Sequence, residues 1–165
     1  MKNKLNLKPK NYIWLKPYVC LLFIMAMCLF GKNALALTFD IPGVFFKEKA
    51  PSINSRVEDS LSVYDKPLEV LKNDALAIST LKGHYNIKIV GFTDNSECTG
   101  PECVALSLRR AQLICGWMLA HGVPASQLLP PEGHGSDEPV GDNSTPDGRA
   151  RNRRVEFQWV KIQVN

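Results

Sequence analysis

Apolar residues recur at helical spacing twice in this chain, and the two runs are separated by the short apolar segment Ile87–Val90. Leu68, Leu71, Ala75, Ile78 and Leu81 follow at intervals of three and four, which predicts a helix over 66–82. Asp65 stands at its N-cap position, Pro67 falls in its first turn and Lys82-Gly83 forms its stop. Val104, Leu108, Ala111, Cys115 and Met118 predict a second helix over 102–121, ended by Gly122 at C′ and by Pro124. Strands are predicted around Val44–Phe46, at Ile87–Val90, at Gln127–Glu132, where two prolines suit a sheet edge, and at Val155–Val160. Thr145–Gly148 opens a short helical turn, whereas 51–63 has no period and reads as a loop. Strands alternating with helices in 165 residues predict one compact α/β domain, a sheet with helices on one face.

Charge distribution bears on compartment. Residues 1–36 hold six lysines, no arginine and no acidic residue. A basic stretch to Lys16, an apolar stretch to Gly31 and the small residues of Ala34-Leu35-Ala36 read as a secretory leader cleaved after Ala36. The apolar run from Tyr18 to Gly31 falls short of the ~20 residues that span a bilayer, and Lys32 and Asn33 cut it off. An uncleaved signal anchor is the competing reading. Without the leader, 20 basic residues fall to 14 against 16 acidic ones, and the formal charge of +4 becomes −2. A slightly acidic exported chain excludes a nucleic-acid partner despite the arginines between Arg149 and Arg154, and no stable membrane span remains after cleavage. Cys98, Cys103 and Cys115 survive cleavage. In an oxidising compartment Cys98 and Cys103 are expected to form a disulfide across a small loop, with Cys115 a buried free thiol.

Asp94 lies just past a strand end, and Arg110 lies in the helix that follows. Strand ends and helix N-termini are where α/β sheets commonly bind small ligands. Two arrangements are open: a structural salt bridge, or two separated arms that hold a zwitterion. In the second, the guanidinium takes the carboxylate through two parallel bonds and the aspartate accepts from the ammonium.

Two segments then match a pattern. Gly91-Phe92-Thr93-Asp94 is followed by Leu106-Ser107-Leu108-Arg109-Arg110-Ala111; Gly133-His134-Gly135, Pro139, Asn143-Ser144-Thr145, Gly148-Arg149 and Asn152-Arg153-Arg154-Val155 come after. Together they resemble the peptidoglycan-binding domain at the C-terminus of OmpA, shared by Pal and MotB proteins, densely from Ile87 to Phe157. The resemblance implies a βαβαβ(α)β α+β sandwich with a mixed sheet, covering 65–165 after a leader (1–36) and an N-terminal strand and irregular segment (37–64). It implies non-covalent binding of the diaminopimelate of the peptidoglycan stem peptide in a Gram-negative periplasm or cell envelope, in outer-membrane association. Asp94 and Arg110 take the zwitterion, Arg153 or Arg154 adds a contact, and Thr93 and Phe92 line the rim. Phe92 replaces the family's usual His, Cys103 replaces a frequent Asn, the loop from Asp94 to Ser107 is slightly longer, and so is the segment after the first strand. The disulfide inside that loop is expected to hold Asp94 at a fixed distance from Arg110. A degenerate module that docks an envelope protein is the competing function.

No catalytic set emerges, and neither metal nor cofactor is expected. His84, His121 and His134 are scattered, Asp137, Glu138 and Asp142 lack the ligand spacing of a calcium loop, and Ser107 has no histidine in reach. Trp117 and Trp159 read as core or rim aromatics.

Overall fold

The computed structural model describes residues 43–62, 66–81 and 83–162. The leader and residue Asp65 lie outside the described residues. The elements run β1 (Val44–Phe45), α1 (Val57–Ser60), α2 (Pro67–Thr80), β2 (Tyr85–Gly91), α3 (Pro101–Ala120), β3 (Glu132–Gly133), α4 (Pro146–Asn152) and β4 (Arg154–Lys161). One mixed sheet has the order β1-β4-β2-β3. β4 is antiparallel to β1 and to β2, in register from Tyr85↔Lys161 to Gly91↔Val155, while β3 joins β2 in parallel.

Alternation along the strands sends Ile87 and Ile89 of β2 and Val155 and Phe157 of β4 to one face. There they meet Leu71, Ala75 and Ile78 of α2 and Ala111, Ile114 and Met118 of α3, forming the core. β1 and α1, from the segment before residue 65, add Val44, Val57 and the neighbouring Phe46 and Leu61 to the same cluster. By length and composition α3 could cross a membrane, but it lies against β2 and β3 as the central helix of this fold.

Three local expectations are corrected. Lys66, in the left-handed region at φ 49°, takes the N-cap of α2, and Pro67 occupies N1. The buried stripe of α3 is Cys103, Leu106, Ser107, Arg110, Ala111, Ile114, Trp117 and Met118, so Val104 turns outward and Leu108 and Cys115 are half-buried. Periodicity in apolar residues missed this rotation because Ser107 and Arg110, both polar, sit at the centre of the stripe. Finally, 127–132 is not a continuous strand. Gln127 ends a 3-10 turn, Leu128 makes a single bridge to Ile87, and Pro130-Pro131 cannot donate to a ladder, which leaves β3 two residues long.

Gly91, the last residue of β2, lets α3 approach the sheet: a Cβ there would collide with the backbone carbonyl of Ser107. The obstacle is helix backbone, which yields little. Gly91→Ala is therefore expected to cost about 3 kcal/mol and to lower the melting temperature by roughly 10 °C in a thermal scan.

Candidate functional site

The loop after β2 carries Phe92, Thr93, Asp94 and Glu97 toward the N-terminal half of α3, where it is stapled. The Cys98–Cys103 disulfide joins it to the first turn of the helix, with Cα atoms 5.1 Å apart. Arg110 lies two turns farther along the same helix and is fully buried.

Every donor of that guanidinium is used. Nη1 and Nη2 grip the two oxygens of Glu97 at 2.6 and 2.7 Å, a bidentate pair with both side chains fully buried. Nε donates to the carbonyl of Ala50 at 2.8 Å, Nη1 also to that of Phe92 at 2.8 Å, and Nη2 to that of Lys47 at 3.4 Å. Glu97 accepts in addition from the backbone N–H of Lys49 at 2.8 Å and of Asp94 at 3.3 Å. A carboxylate so buried is tolerated because charge and lone pairs are both met.

Asp94 is also fully buried and has its own partners. Oδ1 accepts from the N–H and hydroxyl of Ser96 at 2.6 and 2.7 Å and from the N–H of Glu97 at 3.1 Å. Oδ2 accepts from Arg153 Nη1 at 2.7 Å. Burial alone would raise the Asp94 carboxyl, but the hydrogen bonds from Arg153 and Ser96 outweigh it and hold it below the ordinary carboxylate value.

The expectation of two free arms facing an open pocket is thus not met. Asp94 and Arg110 are neither paired with each other nor free; each is closed by a third residue, Arg153 and Glu97 respectively. Phe92 and Thr93 are buried rather than on a rim. The Phe92 ring lies under the Arg154 guanidinium, 3.9 Å from centroid to Cζ, and meets His134 edge-on at 5.5 Å. Arg154 bonds Glu156 and the carbonyl of Glu138, away from Asp94, so Arg153 is the arginine of the pair that reaches the site. The Thr93 hydroxyl is buried without a hydrogen-bond partner among the described residues. Asn152, of the same motif, is structural: its amide binds the N–H groups of Val140 and Gly141, the carbonyl of Gly141 and the side chain of Asn143.

Beside the Glu97–Arg110 pair a groove of about 370 Å³ opens to solvent, with Lys49, Glu102 and Arg109 on its walls. Glu97 and the carbonyls of Lys47 and Ala50 were absent from the sequence reading of the site. Glu97 left one legible signal, an acid three residues after Asp94 in a loop facing a helix arginine; the carbonyls left none.

The model of the OmpA family matches residues 59–153. The chain belongs to the OmpA family. Over 71 residues it is 41% identical to the peptidoglycan-binding protein ArfA of Mycobacterium tuberculosis, a match covering 43% of this chain and 21% of ArfA. The chain therefore spans about a fifth of that relative's length. Two solved structures share the fold. The C-terminal domain of Helicobacter pylori MotB superposes with a TM-score of 0.57 at 21% identity, over 73% of this chain and 85% of that one. The peptidoglycan-associated lipoprotein of Burkholderia pseudomallei gives a TM-score of 0.57 at 24% identity, over 72% and 89%. The OmpA-family fold accounts for the mixed sheet with helices packed on it.

Proposed function

We propose that this domain binds peptidoglycan non-covalently through the diaminopimelate of the stem peptide, as a binding module and not a hydrolase. Asp94, Arg110 and Arg153 carry recognition. The observation that carries the reading is the buried Arg110 guanidinium, which grips a carboxylate through two parallel bonds. That is how an arginine holds the carboxylate of an amino-acid end, and Asp94, three residues before Glu97 in the same loop, is the acceptor this reading assigns to the ammonium. The likeness to the peptidoglycan-binding protein ArfA and the family match support it. The corresponding location is the periplasm of a Gram-negative bacterium, in outer-membrane association, after export by the cleaved leader.

The test is co-sedimentation with purified sacculi. The chain is expected to pellet with them and to be released by free diaminopimelate. Asp94→Asn, which keeps shape and removes charge, is expected to weaken sacculus binding roughly tenfold or more. A chain that stays in the supernatant with intact sacculi sinks the proposal. One observation favours a second reading, a degenerate module that docks an envelope protein: Glu97 fills the guanidinium that a ligand needs. On that reading the Asp94→Asn chain and its parent both ignore sacculi.

A further inference from the structure

With Glu97 in place, Arg110 has no donor to offer. Its five N–H groups go to the two Glu97 oxygens and to the carbonyls of Lys47, Ala50 and Phe92. We infer that Glu97 is a tethered occupant of a carboxylate-binding site: it takes, from within the chain, the place at Arg110 that a ligand's carboxylate takes, and the ligand enters only by displacing it. This deepens the peptidoglycan reading, and only its sacculus arm rests on that reading.

Three features carry the inference. First, Glu97 belongs to a loop, so neither a helix nor a ladder dictates that its side chain point at Arg110. Second, its neighbour Cys98 is bonded to Cys103 on α3, the helix that bears Arg110. The cross-link keeps the carboxylate close to its guanidinium, and a tethered partner competes as if present at millimolar concentration or above. Third, the groove beside Glu97 has Lys49 and Arg109 on its walls against one acid, Glu102. A displaced Glu97 therefore meets polar, net cationic walls instead of apolar surroundings.

The experiment uses Glu97→Ala, Glu97→Gln and the parent, melted in sodium acetate and in sodium chloride of equal ionic strength. Glu97→Ala leaves a hole the size of a small carboxylate beside an uncompensated guanidinium. Acetate is expected to raise its melting temperature by about 4 °C or more, following mass action on the folded state. The parent and Glu97→Gln, in which the hole is filled, are expected to show no acetate-specific rise. An acetate response in all three, or in none, overturns the inference.

In sacculus pelleting, Glu97→Ala in chloride is expected to bind severalfold better than the parent. An acetate response without any sacculus binding keeps Glu97 as occupant and removes peptidoglycan as the ligand. If Glu97→Ala is unfolded in both salts, Glu97→Gln decides. It keeps the side-chain volume and the cross-linked loop but gives up the charge that holds Arg110, and severalfold stronger sacculus binding than the parent's is expected; equal or weaker binding overturns the inference.

Discussion

Arg110→Ala is expected to lower stability by about 3–5 kcal/mol, a fall in melting temperature of roughly 10–20 °C, because it strands a buried carboxylate. Glu97 is fully buried and its charge is balanced by Arg110. The substitution also leaves the carbonyls of Lys47, Ala50 and Phe92 without the donors that serve them. These three carbonyls come from the loops after β1 and β2, so the guanidinium joins two segments far apart in the chain. Glu97→Leu/Arg110→Met, which removes both charges and fills the volume, is expected to melt well above Arg110→Ala. Thermal scans of the parent, Arg110→Ala and the double variant check this, and an Arg110→Ala chain within about 2 °C of its parent would refute the coupling. A consequence follows for function. Loss of sacculus binding in Arg110→Ala would not separate recognition from folding; Asp94→Asn, at a fully buried carboxylate paired with Arg153, does so only where its melting temperature stays near the parent's, whereas acetate rescue of Glu97→Ala reads the carboxylate site directly.

The elements legible in the sequence are those with a period or a hard stop. α2, β2, α3 and β4 appear where their apolar spacing puts them, and Gly122, at φ 92°, ends α3 as its residue type demands. α1 is a single turn, too short to carry a period. The face of α3 was misjudged because a stripe is read from apolar residues, whereas here Arg110 and Ser107 occupy it. Ser107 earns burial by accepting from Gly135 N–H at 2.9 Å and donating to the Val104 carbonyl. In the site, the resemblance named Asp94, Arg110 and Arg153 but not Glu97. Glu97 reaches Arg110 through a loop whose path a cross-link determines, and backbone carbonyls leave no mark on residue identity. Arg153 and Arg154 separate because successive side chains entering a strand point to opposite faces: one meets Asp94 and the other lies on Phe92.

Asp74 is expected to make this protein less stable as pH rises from about 4 to 7, opposite in sign to the usual buried acid pair. It sits in the middle of α2, 5% exposed, between Leu71 and Ile78 on the core face, and its Oδ2 has no hydrogen-bond partner among the described residues. Burial pushes its carboxyl up to about 7 from an ordinary value of 3.8. In the unfolded chain the group ionises near pH 4, whereas in the folded chain it keeps its proton until near neutrality. The folded state therefore binds the extra proton between those values. Its advantage is complete below the unfolded value and is lost as pH climbs through the folded one, a difference of order 2–4 kcal/mol. Asp94 works the other way: its carboxyl is held low, so its contribution is present above the ordinary value and disappears in stronger acid. Asp74→Asn reproduces the shape of the protonated side chain and cannot ionise. Its melting temperature is expected to match the parent's near pH 4.5 and to exceed it by roughly 5–10 °C at pH 8. Parallel melting curves for the two chains across that range would mean that the Asp74 carboxylate is solvated or paired in the folded protein.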